Sequence, residues 1–327
     1  CVNVGCVPKK LFMYASQYSE YALEAQGFGW NVSLQAFDWP ELRDKKTAEI
    51  QRLNGVYQSL LDKANVTVID GTAKILDSHT VQVGKHQYSA ERILIATGGW
   101  PLKPRYPGHE YVLTSNDLFY LERLPKKILI EGGGYIAVEF AGIYNGLQCE
   151  TELVYRGDLF LRGFDDDVRC FVASEIEKKG VKLSFNHQIE AISQQENNQL
   201  KVVFTNGEVR IVDAVLSAIG RVPMTAELGL EALDLSLNED GTIPVNEQFQ
   251  TSVPSVYAVG DVVGKMPLTP VALAEGEALA RFLFSGKAFQ LDYSKIPTAM
   301  FSQPSVATVG LTEQAAVECF GAEDVQV

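Results

Sequence analysis

Lys127-Ile128-Leu129-Ile130-Glu131-Gly132-Gly133-Gly134-Tyr135-Ile136-Ala137-Val138-Glu139-Phe140-Ala141 is the stretch that decides the architecture. Its opening apolar run is that of a strand buried on both faces. Gly132, Gly134 and Ala137 then fit the pattern G-x-G-x-x-G/A between a strand and a helix. The first glycine permits a tight turn, the second a close approach of a pyrophosphate, and the small third residue lets helix and strand pack. The helix N-terminus carries the phosphate charge. Strand, glycine turn and helix in that order specify an α/β dinucleotide-binding unit.

The next strand, Thr151–Tyr155, should present the residue that faces the adenine ribose. Sites for NAD place an acid there. Here the strand leads into Arg156, Arg162 follows six residues later, and Asp158 sits in a Gly157-Asp158 turn. Two guanidiniums suit a 2′-phosphate as planar bidentate donors. The competing assignment is a pair of solvated surface arginines. Further on, Val215-Leu216-Ser217-Ala218-Ile219-Gly220-Arg221 is a second buried strand ending in a glycine turn.

The first ten residues, Cys1-Val2-Asn3-Val4-Gly5-Cys6-Val7-Pro8-Lys9-Lys10, carry the chemistry. Two cysteines five positions apart can close a small disulfide if the turn is held, and Gly5 supplies the freedom for it. Such a ring constrains little unfolded-chain entropy and is a poor staple. A strained or exposed disulfide is the labile, catalytic kind. Spacing alone leaves open a structural disulfide, half a metal site or two unrelated thiols. Cys149, Cys170 and Cys319 stand apart, which disfavours metal.

A helical pattern starts at Pro8, with Leu11, Met13 or Tyr14, Tyr18, Tyr21, Ala22 and Ala25 as its stripe up to Gly27. It places Cys6 at a helix N-terminus, where a thiol pKa falls. A second helix covers about Trp39 to Ala64, with a stripe of Ile50, Leu53, Val56, Tyr57, Leu60 and Leu61. Short strands are expected at Val66–Ile69, Lys74–Ile75, His79–Val83 and Arg92–Ile95. Ile93–Gly99 is an apolar strand with a small-residue turn at Thr97-Gly98. Val256-Tyr257-Ala258-Val259-Gly260-Asp261 is a strand whose terminal aspartate can accept from a sugar hydroxyl or cap a turn.

With 327 residues, 46% hydrophobic and 21% charged, the chain is long enough for two or three cored domains. A net charge of −13 with no basic stripe argues against nucleic acid. No apolar run reaches membrane-span length, and no signal peptide is expected. Five cysteines suit a reducing, cytoplasmic setting.

The string CVNVGCVPKK resembles the redox-active disulfide motif of the pyridine nucleotide-disulfide oxidoreductases, and its VPKK ending resembles the glutathione reductases among them. The resemblance implies an α/β fold of two Rossmann-like, three-layer dinucleotide-binding domains, the first incomplete, followed by the start of an α+β dimerisation domain. The expected segments are 1–99 (partial FAD-binding, with the disulfide), 100–223 (NADPH-binding), 224–294 (returning flavin and central segment) and 295–327 (start of the interface domain). FAD and NADPH are the implied cofactors, glutathione disulfide the substrate, and a homodimer the full-length assembly.

By the same resemblance Cys6 is the thiolate against the flavin and Cys1 the thiol that attacks the substrate. Lys9 pairs with Glu139 beside the flavin, and Tyr135 gates the nicotinamide pocket. Thr97 and Gly98 close the first flavin segment, Asp261 binds the ribityl chain, and Thr269, in Leu268-Thr269-Pro270-Val271-Ala272, starts the helix beneath the ring. Arg156 and Arg162 select NADPH, and Gly220-Arg221 ends its domain. Val56, Tyr57 and Leu60 line the substrate wall. Glu277 departs from the pattern, where glutathione reductases often have an arginine. It leaves open a cationic or amidated disulfide such as a trypanothione-like one, or else a solvated helix residue. His79, His86, His109 and His187 match no catalytic motif and are expected in surface or loop positions. The family's His-Glu pair and its first flavin βαβ unit are expected outside the chain. A fragment that binds NADPH and has no activity of its own is the rival reading.

Overall fold

The computed structural model describes residues 1–287 and 290–327; positions 288 and 289, inside the expected 224–294 segment, lie outside it. The α-helices are α1 (Cys6–Gly27), α2 (Trp39–Lys63), α3 (Ser115–Leu118), α4 (Tyr135–Gly146), α5 (Asp166–Lys178), α6 (Thr269–Ser285) and α7 (Glu313–Phe320). The chain divides into two compact units. One comprises Cys1–Tyr57, Pro101–Gly220 and Pro297–Val327; the other comprises Gln58–Trp100 and Arg221–Ile296.

The first unit is built on a four-stranded parallel sheet in the order Ala214–Ser217, Lys127–Glu131, Glu150–Tyr155, Lys182–Phe185. Successive strand residues face opposite sides. Ile128 and Ile130 therefore join Val138, Phe140, Ile143 and Tyr144 of α4, together with Phe12 and Trp39. Leu129, Val154 and Val215 join Ile192, Val202 and Phe204 of an antiparallel meander covering the other side. Covering both faces is what makes the central strand continuously apolar. α1 packs on α4.

In the second unit, Ala73–Asp77, Thr80–Val83 and His86–Ser89 form a three-stranded antiparallel sheet. Ile93–Ile95 pairs in parallel with Val256–Ala258, Ile93 opposite Val256 and Ile95 opposite Ala258. That pair is buried among Ile75, Leu230, Ile243 and Val262.

Several expectations are corrected. α1 begins at Cys6, two residues before Pro8. Its inner face is Pro8, Lys9, Phe12, Met13, Ser16 and Ala22, whereas Tyr14, Tyr18 and Tyr21 are exposed. On α2 only Ile50 of the expected stripe is buried; Val56, Tyr57, Leu60 and Leu61 are exposed. Val66–Ile69 forms no strand, because no described strand pairs with it, and the strand His86–Ser89 was not foreseen.

Candidate functional site

Cys1 and Cys6 are joined in a disulfide with their Cα atoms 4.9 Å apart. Cys6 is the first residue of α1 and Gly5 its N-cap. A Cβ on Gly5 would stand 2.8 Å from the Cys1 Cα, so the ring closes only over a glycine. Helix and ring interlock: the Val7 N–H donates to the Cys1 carbonyl at 3.2 Å, and the Cys6 N–H to the Cys1 Sγ at 3.2 Å. Both cysteines are exposed. An exposed disulfide at a helix N-terminus has a thiolate-stabilising dipole on the Cys6 side.

The ring is anchored at Asn3. Asn54 Nδ2 donates to its side-chain oxygen at 3.0 Å, and the Tyr120 hydroxyl reaches its carbonyl at 3.4 Å. Beneath Tyr120 lies Lys46, which sequence reasoning missed. It is buried, its Nζ is 3.9 Å from the centre of the Tyr120 ring, and desolvation lowers its pKa to about 8.

One turn into α1, Lys9 donates to the Oε2 of Glu139, both side chains almost sealed from solvent. The other carboxylate oxygen accepts the Phe301 N–H at 2.7 Å. Lys9 Nζ lies 5.4 Å from the Tyr135 ring and 5.5 Å from that of Phe301. A buried acid is tolerated only when paired and hydrogen-bonded, and both conditions hold here. Because Tyr135 and Glu139 belong to α4, the helix that starts at the glycine loop also carries the pair reached from the disulfide helix.

At the loop, Gly132 has φ +148, and a Cβ there would lie 2.4 Å from the Ala218 carbonyl and 3.2 Å from the Ala137 Cβ. A Cβ on Gly133 would strike the Tyr155 ring at 2.4 Å, whereas one on Gly134 would meet nothing within 4 Å. Gly134 caps α4 and leaves open space above the helix N-terminus, room that fits a pyrophosphate. The requirement at Gly133, set by Tyr155, was not legible.

Arg156 and Arg162 are exposed, and among the described residues no carboxylate engages either. The loop bearing Arg162 is tied to the glycine turn by the Leu161 N–H, 2.6 Å from the Gly133 carbonyl. Arg169 fixes its other side through the Phe160 and Leu159 carbonyls, both at 2.8 Å. Two free guanidiniums on a fixed loop suit an anion. Asp158 is also exposed. Glu131, at the end of the central strand, is a second missed group: it accepts from the Tyr106 hydroxyl at 2.9 Å, and burial raises its pKa. Gly220 has φ +153.

In the second unit the Thr97 hydroxyl donates to the Met224 carbonyl at 2.7 Å, and Gly98 turns with φ +71 while its carbonyl accepts the Met224 N–H. Arg221 donates to the Gly99 carbonyl. Asp261 sits in the 3-10 turn Gly260–Val263, half-buried, with no hydrogen bond on its carboxylate among the described residues. That acceptor fits a polyol hydroxyl. Thr269 is the exposed first residue of α6. Glu275, also missed, is buried and accepts from the Gly260 N–H and the Tyr293 hydroxyl, each at 2.6 Å. The inner stripe Val271, Glu275, Ala278 and Leu279 was the signal for it.

Val56, Tyr57 and Leu60 lie exposed on α2. Glu277 is exposed and bonded to Arg281 at 2.6 Å, so its charge is met one turn along the helix. His187 occupies a loop, its ring 5.3 Å from Phe204 and its Nε2 3.3 Å from Glu208. Among the described residues no group of three or more His, Cys, Asp or Glu could hold a metal, and no helix is long and apolar enough to cross a membrane.

A parallel sheet with a glycine turn, a disulfide at a helix mouth and a buried Lys–Glu pair define a nucleotide-linked disulfide redox protein. The chain belongs to the pyridine nucleotide-disulphide oxidoreductase family, whose model matches residues 1–276. It is 46% identical over 313 residues to the glutathione reductase of Burkholderia cepacia, covering 96% of this chain and 70% of that one. It is 44% identical over 326 residues to the chloroplastic/mitochondrial glutathione reductase of Pisum sativum, covering 99% of this chain and 59% of the relative. Among solved structures, the HOCl-induced flavoprotein disulfide reductase RclA from Escherichia coli matches with a TM-score of 0.87 at 30% identity, over 97% of this chain and 70% of that one.

Proposed function

We propose that the protein reduces glutathione disulfide at the expense of NADPH, with FAD and the Cys1–Cys6 disulfide as the internal relay. The observation that carries this is the closed disulfide at the N-terminus of α1, one helical turn from a buried Lys9–Glu139 pair. FAD, when bound, supplies the two-electron relay between nicotinamide and disulfide. Asp261, Thr97, Gly98, Thr269 and Lys9 are the groups assigned to it, and Asp261 brings an unengaged acceptor for its polyol chain. Gly132, Gly134 and Ala137 form the pyrophosphate cradle, and Arg156 and Arg162 meet the 2′-phosphate. Gly220 and Arg221 lie at the far end of the nucleotide segment. Tyr135, its ring centre 5.4 Å from Lys9 Nζ, is assigned as the gate of the nicotinamide pocket, and the Lys9–Glu139 pair would hold a fixed charge beside the flavin.

Two electrons break the Cys1–Cys6 bond and leave two sulfurs. The Cys1 thiolate attacks one sulfur of the substrate disulfide, forming a mixed disulfide and releasing one glutathione thiolate, which takes up a proton. The Cys6 thiolate then attacks the Cys1 sulfur, releasing the second glutathione and restoring the intramolecular bond. Val56, Tyr57 and Leu60 are assigned to the wall that holds the substrate. The Glu277–Arg281 pair favours glutathione disulfide over a cationic conjugate, since the acid is already neutralised by its neighbour. The reading includes a homodimer as the full-length assembly and a reducing, cytoplasmic setting, in keeping with the free Cys149, Cys170 and Cys319.

The test is anaerobic titration of the FAD-loaded full-length protein with NADPH. Two thiols should become titratable at Cys1 and Cys6, and glutathione disulfide should reoxidise them. No NADPH-dependent thiols at these positions would overturn the reading.

A further inference from the structure

We propose that Gln303 is a positioning residue for the Lys9–Glu139 pair, holding the segment that presents the Phe301 amide to the Glu139 carboxylate. The inference rests on the reading of that pair given above and extends it to a residue outside both helices. Glu139 has two oxygens and two bonds: Oε2 takes Lys9 and Oε1 takes the Phe301 N–H. The second bond comes from the turn after strand Thr298–Met300, so the carboxylate's orientation is set jointly by α1 and by this turn. The Phe301 ring also borders both lysines, 5.5 Å from Lys9 Nζ and 4.1 Å from Lys10 Nζ. Displacing Phe301 would free the carboxylate to rotate and would remove a wall from the lysine.

Gln303 is what pins the turn. Its Nε2 donates to the Ser16 hydroxyl at 2.7 Å in a buried setting, and that hydroxyl donates in turn to the Met13 carbonyl. Its side chain lies across Gly142 of α4, where an added Cβ would come within 3.9 Å. Ser16 is seven residues beyond Lys9 on α1, and Gly142 three beyond Glu139 on α4, so each pair shares a helix face. The turn thus crosses the two helices as a bar, Phe301 at the level of the ion pair and Gln303 at the next level. A buried amide that lost its partner would force the bar to shift, because an unmet donor costs more than the bond gains.

Gln303→Leu removes the donor and Ser16→Ala the acceptor of the same bond, both in the FAD-loaded full-length enzyme. Each should speed hydrogen exchange at the Phe301 amide about five- to tenfold, the worth of one hydrogen bond. Each should slow flavin reduction by NADPH by a similar factor, while thiol–disulfide exchange by pre-reduced enzyme stays within about twofold. If Gln303→Leu does not fold, Ser16→Ala decides. Unchanged Phe301 exchange, or equal slowing of both half-reactions with loss of protection throughout, would overturn the proposal. Glu139→Gln separates the two levels. If it leaves flavin reduction untouched, the reading of the pair itself fails. If it slows that step while neither bar variant does, only this inference fails.

Discussion

Removing one member of the Lys9–Glu139 pair should cost far more than removing both. Each residue is under a tenth exposed, so a lone survivor is a buried charge without a counter-ion. Breaking such a pair from one side costs about 3–5 kcal/mol. At roughly 2–4 °C per kcal/mol for a domain of this class, Lys9→Met or Glu139→Leu should lower the melting midpoint by about 6–20 °C. In the double variant Lys9→Met with Glu139→Leu, no charge is left buried. The remaining penalty is the orphaned Phe301 N–H, about 1–3 kcal/mol. Two single losses would sum to about 6–10 kcal/mol, so the cycle should show a coupling of several kcal/mol. Urea unfolding at pH 7 with all four proteins measures it. Additivity to within about 0.5 kcal/mol would mean that the two groups do not depend on one another, and the account of this site would be wrong.

Cys1→Ser should abolish reduction of glutathione disulfide yet leave flavin reduction by NADPH intact, followed by stopped-flow absorbance; loss of both would contradict the division of labour between the sulfurs. Arg156→Ala with Arg162→Ala should raise KM for NADPH by about 10- to 100-fold, one to two charge-assisted bonds, and change KM for NADH little. Gly132→Ala meets the Ala218 carbonyl at 2.4 Å and a left-handed φ, so a loss of about 3 kcal/mol or more in chemical unfolding is expected. Lys46 has its folded pKa depressed from 10.5 to about 8, so the native state binds this proton more weakly than the unfolded chain. Stability should therefore rise as pH goes from about 8 to 10.5, and the penalty is fully present below 8. Lys46→Met should remove that rise and add on the order of 1–2 kcal/mol at pH 7, the cation–π contact with Tyr120 offsetting part of the gain. A pH profile unchanged by the substitution would refute the assignment.

The sheet and glycine loop were legible because both faces of Lys127–Ile130 are covered, which leaves a uniform apolar run that only one arrangement explains. The Cys1–Cys6 ring was legible from spacing and resemblance together. The inner face of α1 was not. Tyr14, Tyr18 and Tyr21 recur at the same spacing as a core stripe but face outward, while Lys9 and Ser16 face inward because Glu139 and Gln303 wait there. Hydropathy periodicity assigns polar residues to solvent, and the same bias hid the buried Lys46 and Glu275 and the half-buried Glu131, each held against a tyrosine. Val66–Ile69 has the composition of a strand, but a strand needs a partner, and composition cannot report whether one exists.

The parallel pair of Ile93–Ile95 with Val256–Ala258 has a consequence for how the polypeptide is assembled. These two short segments meet only after the entire parallel sheet, whose strands all fall between Lys127 and Ser217, has been traversed. Left as a coil, that intervening length would make their encounter slow and entropically unfavourable. Once the sheet has folded, the same length becomes a rigid insert whose ends are already held, and the search collapses to a short one. The sheet-bearing segment should then act as the template for that pairing, so lesions in it would first surface as failure of Ile93–Ile95 to pair with Val256–Ala258.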